Sequence, residues 1–166
     1  MLSLKCGEEM AGCCSTLFVD FTFQDLTSAK PPNDKGVYVI RVKRRSEVPL
    51  TVMIEKTRQL LSGIGWDLVA GFIMSRVERL TNIGNCQIIY IGSAGGRSES
   101  KNTLKNRYEE FANRHTAMYP IWVLLYFGWE LEFGWKASVN PLSQEKELKR
   151  NYQAIHNGML PALVEK

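Results

Sequence analysis

The chain has 166 residues, of which 45% are hydrophobic and 23% are charged, and these proportions are typical of a globular protein with one domain and its own core. No apolar run approaches the ~18 residues of a membrane-spanning helix, and Glu8 and Glu9 interrupt the segment that a secretion signal would need, so we expect a soluble, cytoplasmic protein without a membrane partner. The net charge of +4 is a modest cationic excess that suits a phosphate-bearing partner.

The first 35 residues are predicted to be an N-terminal extension with one short strand, where FVDFTF (18–23) alternates between apolar and polar residues. After a proline break, GVYVIRVKRR (36–45) has the alternation of a strand that places Tyr38 on one face and Arg41 on the other. Cations crowd the end of this strand, which indicates either a solvated edge or a surface for a polyanion: Arg41, Lys43, Arg44 and Arg45.

The middle of the chain predicts a helical insertion at about 49–83. Its two helices are separated by a turn at Gly63 and Gly65, and Asp67 is the predicted N-cap of the second helix. CQIIYIG (86–92) predicts the next strand, and its continuous apolar run favours a central position in a sheet. The insertion is therefore expected between the first two core strands.

The C-terminal part predicts two further helices, one strand and one segment that fits either structure. Residues 103–114 have the pattern of an amphipathic helix, with Lys105 and Arg107 on its polar face. Residues 120–127 fit a short buried helix, with a strand as the alternative, and ELEFGWKAS (130–138) alternates as a third strand. A terminal helix is predicted to start at Ser143, its cap, with Glu145 in the first turn.

The cysteines give no metal-site pattern. The chain contains Cys6, Cys13, Cys14 and Cys86. They form no CxxC pair, and the two histidines, His115 and His156, lie far from them along the chain. The spacing therefore predicts reduced thiols without a metal or catalytic role.

Four side chains on the predicted elements have a common chemical use: Tyr38, Tyr90, Arg107 and Glu145. If the first two core strands are neighbours, both phenols lie on one surface. A carboxylate suits Mg²⁺, which commonly takes one or two protein carboxylates and keeps its waters, and arginine matches the geometry of phosphate. A phenol can act as a general base where neighbouring cations lower its pKa. Together these groups are suited to hydrolysing a phosphodiester.

The order of these motifs resembles the GIY-YIG nuclease superfamily. The motifs are GVY (36–38), YIG (90–92), the arginine of LKNRYEEF and the glutamate of EKELKRNY, and the resemblance covers residues 36 to about 164, the predicted nuclease domain of 36–166. It implies an α/β (α+β) fold with a small three-stranded antiparallel sheet flanked by helices and a single-metal active site. Tyr38 is implied to be the general base or to orient the attacking water, and Tyr90 to contact the phosphate. Arg107 is implied to stabilise the charge of the transition state, and Glu145 to hold Mg²⁺, with Mn²⁺ as the alternative.

Three features differ from the common pattern of that family, one of which is that the asparagine many members have in the last segment is missing, since the chain reads ALVEK after Pro161. Residues 39–89 separate the two tripeptides, a segment long enough to require the helical insertion. The histidine that often follows the catalytic arginine by one turn is Phe111 here, and His115, one further turn along, is an auxiliary candidate. The alternative for His115 is a helix-end histidine that interacts with the C-terminal carbonyls.

The leading hypothesis is a metal-dependent endonuclease for duplex or branched DNA, with RNA as an open alternative. With one site per chain, cutting both strands requires either a homodimer or two successive events. Contacts with the nucleic acid are expected from Arg97, Lys101, Lys105 and Arg41. One alternative is a nucleic-acid-binding module of the same fold without catalytic activity. Another is an interaction domain built around residues 49–83.

Overall fold

The computed structural model describes residues 14–82, 86–96, 101–113 and 118–164. These ranges form an α+β protein with a short 3-10 helix, Ser15–Phe18, before the first strand. The strands and helices follow in the order β1 (Thr22–Asp25), β2 (Gly36–Arg44), α1 (Leu50–Gly63), α2 (Asp67–Asn82), β3 (Ile88–Ala94), α3 (Leu104–Asn113), α4 (Met118–Tyr126), β4 (Glu130–Ala137) and α5 (Pro141–Ile155). No helix in the described ranges is long and apolar enough to cross a membrane.

The sheet has four antiparallel strands in the order β1-β4-β2-β3, so the prediction of three strands is wrong by one. The additional strand is β1, which pairs with β4 and occupies residues 22–25 rather than the predicted 18–23. Phe23 lies opposite Gly134, and a Cβ at Gly134 would lie only 2.3 Å from its ring. Because glycine has no side chain, the Phe23 ring can lie against the sheet at Gly134. The alternation of apolar and polar residues along the sequence does not reveal this tertiary contact.

Strand β2 is the centre of the core, because it pairs with β4 on one side and with β3 on the other. Its residues 36–40 are buried. The prediction that β3 is central is wrong: among the described strands it pairs only with β2. Helix α5 packs against β3, and the Leu163 N–H donates to the Ile89 carbonyl at 2.9 Å. These contacts bury the apolar run of an edge strand.

The helices follow the predicted boundaries closely, with one correction. Helices α1 and α2 pack together in the predicted insertion, and α2 begins at Asp67 as expected. Residues 118–126 form a helix, so the helical prediction for this segment is confirmed and the alternative of a strand is wrong. Helix α5 begins at Pro141 rather than at Ser143, because proline suits the first helical position, where no backbone donor is needed. Glu145 consequently lies beyond the first turn.

Candidate active site

The two tyrosines lie side by side on one face of the sheet. Tyr38 pairs across the strands with Gly92, and Ile40 pairs with Tyr90, so the tyrosines are diagonal neighbours. Their rings stack with centroids 5.8 Å apart, and their hydroxyls share a hydrogen bond. Phe133 of β4 stacks on Tyr38 at 5.3 Å. The Tyr38 ring is therefore held between two aromatic neighbours.

The glycine of each tripeptide permits a close approach. A Cβ on Gly92 would lie 2.6 Å from both Cζ and Oη of Tyr38, so only glycine leaves room for the phenol there. A Cβ on Gly36 would lie 2.2 Å from the Lys136 carbonyl oxygen and 2.9 Å from Leu104 Cδ1. Gly36 thus lets α3 come close to β2, and Gly92 lets the phenol lie across β3.

Arg107 lies on α3, near enough to both tyrosines for its charge to lower their pKa values. The Leu104 N–H donates to the Asp34 carbonyl at 2.7 Å, which fixes the start of α3 to the turn before β2. The Arg107 Nη1 donates to Glu110 at 3.0 Å, whereas its Nε is buried and has no hydrogen-bond partner within the described ranges. A buried guanidinium N–H without a partner is costly, and an anionic ligand would satisfy it.

Glu145 reaches the site from α5. It accepts a hydrogen bond from the Ser93 hydroxyl through Oε2 and another from Lys149 Nζ, 2.6 Å away, through Oε1. Only 16% of its side chain is exposed, while Glu147 on the same helix is exposed. Of these two carboxylates, Glu145 is thus the one directed at β3. It is close enough for its charge to act on both phenols.

Burial dominates the acid–base properties of the phenols. It raises the pKa of Tyr38 well above 10, and the neighbouring Tyr90 raises it further; the charge of Arg107 lowers it without reversing the shift. Burial also raises the pKa of Tyr90, with a smaller contribution from Glu145. Both phenols are therefore protonated at neutral pH. This direction is opposite to the lowered pKa that a general base requires in the sequence-based hypothesis.

The residues predicted to contact nucleic acid are more widely separated in the structure than the four residues of the candidate active site. Arg41 lies on the other side of the sheet from Tyr38, where it pairs with Glu132 at 2.5 Å and covers the ring of Phe23 at 3.5 Å. Lys101 and Lys105 are exposed beside and within α3. Arg97 and His115 lie outside the described residues.

Most of the cationic run at the end of β2 is paired across the sheet. Lys43 lies 3.4 Å from Asp25, and Arg44 lies 2.5 Å from Glu130. These pairs, together with Arg41 and Glu132, favour the solvated-edge interpretation of the run.

A second polar cluster lies inside the protein, and sequence spacing did not reveal it. Cys14, Cys86 and His156 are all buried, and their ligand atoms lie within 4.8 Å of one another. The expectation that no histidine is near the cysteines is wrong, because the fold brings together residues separated by as many as 142 positions. The hydrogen bond from Cys14 lowers the pKa of the Cys86 thiol. Cys14 and Cys86 do not form a disulfide.

The chain matches no family model, and comparisons with curated proteins and with solved structures give no significant match.

Proposed function

We propose that the protein is a Mg²⁺-dependent DNA endonuclease that hydrolyses phosphodiester bonds at the site formed by Tyr38, Tyr90, Arg107 and Glu145. The observation that carries the proposal is that Tyr38 and Tyr90 stack 5.8 Å apart, with Arg107 of α3 and Glu145 of α5 near enough for their charges to act on both phenols. The order of the motifs along the chain supports the same conclusion. Mn²⁺ is a chemically reasonable substitute for Mg²⁺ at a carboxylate site.

The donor set at α5 fits a hard divalent cation. Glu145 provides a carboxylate next to strand β3, where the Ser93 hydroxyl donates a hydrogen bond to it. One carboxylate is a sufficient protein contribution for Mg²⁺, which retains its waters. When bound, the cation would supply positive charge to the phosphate as negative charge develops. The Lys149 ammonium group contacts Glu145 Oε1 and so occupies part of the proposed cation position. It has to leave this carboxylate oxygen before a cation can bind there.

Arg107 is proposed to bind the phosphate. Its buried, unpartnered Nε is the strongest local indication, because a phosphate oxygen would provide the missing acceptor. The guanidinium charge also favours the increased negative charge of the transition state. Replacing Arg107 by alanine is expected to slow cleavage about 100-fold to 1,000-fold, the usual cost of removing one such donor.

The main role proposed for the two phenols is to donate hydrogen bonds. Their raised pKa values keep the protons in place, which supports orientation of the attacking water by Tyr38 and contact of Tyr90 with the phosphate. Neutralising the Glu145 carboxylate removes one of the charges that raise both pKa values. Burial, the largest cause of the raised pKa of Tyr38, would remain, so that neutralisation alone does not make Tyr38 a general base.

The alternative is a nucleic-acid-binding module of the same fold without catalysis. The specific observation in its favour is the ion pair between Lys149 and Glu145, since an ammonium group can take the place of a metal ion permanently. Nicking of supercoiled plasmid, measured with and without added Mg²⁺, separates the two functions. Metal-dependent nicking supports the enzyme, and binding without nicking supports the module. One site cuts one strand, so cleavage of both strands would require a homodimer or two successive events.

A further inference from the structure

Two distances in the Cys14, Cys86 and His156 cluster match those of a tetrahedral zinc site, and all three ligand atoms lie within 4.8 Å of one another. The two Sγ atoms lie 3.6 Å apart, and Cys14 Sγ lies 3.5 Å from His156 Nε2. With zinc–sulfur bonds of about 2.3 Å and zinc–nitrogen bonds of about 2.0–2.1 Å, a tetrahedron has edges of about 3.8 Å between sulfurs and about 3.6 Å between sulfur and nitrogen. A disulfide would need the sulfurs about 2.05 Å apart.

The imidazole of His156 is oriented for metal binding. Its Nδ1 lies 2.8 Å from the carbonyl oxygen of Tyr152, and because that oxygen only accepts, Nδ1 carries the proton. The lone pair is then on Nε2, which faces Cys14. A carbonyl that fixes the tautomer in this way is the usual outer partner of a zinc-binding histidine.

Tyr152 also contacts the cluster through its side chain. Its ring stacks on the imidazole with centroids 3.7 Å apart and an interplanar angle of 10°. Its hydroxyl lies 3.5 Å from Cys86 Sγ and donates to it. The stack and the hydrogen bond fix one nitrogen ligand and one sulfur ligand before any metal arrives, which lowers the ordering cost of binding.

We propose that Cys14, Cys86 and His156 bind one zinc ion, distinct from the proposed Mg²⁺ site at Glu145. Each thiol releases its proton to solvent as its zinc–sulfur bond forms. The ion would join three distant segments: the start of the 3-10 helix, the residues before β3 and the end of α5. A cleft of about 220 Å³ is lined in part by one of the three ligands, Cys14.

The test is metal analysis of the full chain, purified without chelator, followed by replacement of the metal with Co²⁺. We expect one zinc per chain, and a cobalt spectrum with tetrahedral d–d bands and a thiolate-to-cobalt charge-transfer band. Cys86→Ser should lose the charge-transfer intensity of one thiolate and bind zinc more weakly. Tyr152→Phe keeps all three ligands, so it should still bind one zinc, with affinity reduced about 10-fold to 100-fold.

The wild-type cobalt spectrum keeps the test decisive even if Cys86→Ser does not fold. A folded wild-type chain that takes up neither zinc nor Co²⁺ would overturn the proposal. So would a disulfide between Cys14 and Cys86, identified by mass spectrometry of peptides from non-reduced protein, because it would use both sulfur ligands.

Discussion

The hydroxyl end of Tyr38 lies directly over Gly92, so that a Cβ on Gly92 would lie 2.6 Å from the phenol oxygen. The phenol cannot turn aside easily, because Tyr90 and Phe133 stack beside it. This contact joins the two tripeptides into one structural unit. Position 92 requires glycine because the Tyr38 phenol occupies the space in which a side chain would lie.

Gly92→Ala should therefore damage both stability and activity. Overpacking of a filled core typically costs about 1–3 kcal/mol of unfolding free energy, and displacement of the Tyr38 hydroxyl should lower the nicking rate. Urea unfolding and plasmid nicking measure the two effects.

Gly71→Ala is the matched control, since nothing lies within 4 Å of a Cβ at that position in α2. It should raise the unfolding free energy by about 0.5–1 kcal/mol, the usual gain over glycine inside a helix. Equal stability of the two variants would contradict the role given to Gly92.

Alkaline pH should destabilise the protein through Tyr38. Its pKa is raised by burial in the folded state, while an unfolded tyrosine ionises near pH ~10. The stabilisation is therefore fully present below pH ~10 and is lost as the pH rises, because the unfolded chain then releases the proton first.

One such group contributes a slope of up to about 1.4 kcal/mol per pH unit above pH ~10. Urea unfolding at several pH values should show a shallower slope for Tyr38→Phe than for wild type. Tyr126→Phe, which removes a hydroxyl from a side chain that is 75% exposed, is the control. Identical slopes for wild type and Tyr38→Phe would mean that the Tyr38 phenol is solvated.

Lys149 should compete with the metal ion for Glu145. Its ammonium group lies 2.6 Å from the carboxylate, so Lys149→Met should lower the Mg²⁺ concentration needed for half-maximal nicking. Lys146→Met changes an exposed lysine of the same helix and should leave that concentration unchanged. An unchanged or higher requirement in Lys149→Met would show that the lysine does not occupy the cation position.

Local sequence patterns predicted most elements well. The alternation of GVYVIRVKRR placed β2 within one residue of its end, and Asp67 marked the start of α2. Both signals are local, since side-chain alternation and helix capping depend on a few neighbouring residues. The same local patterns assign Tyr38, Tyr90, Arg107 and Glu145 to separate elements, whereas their relative positions depend on the tertiary fold.

The errors concern contacts between distant parts of the chain. The apolar run of β3 looked central because burial by α5 and by Leu163 leaves the same pattern as burial by a second strand. Nothing in the spacing of Cys14, Cys86 and His156 shows that they meet. The raised pKa of Tyr38 likewise depends on burial, which follows from packing that local sequence does not specify.

The most direct test of the nuclease proposal compares Glu145→Gln with Glu147→Gln on supercoiled plasmid in Mg²⁺. Both changes remove one carboxylate from α5, but only Glu145 is directed at β3 and hydrogen-bonded to Ser93. We expect Glu145→Gln to nick at least about 100-fold more slowly while still binding DNA, and Glu147→Gln to match wild type. Wild-type nicking by Glu145→Gln would contradict the proposed site.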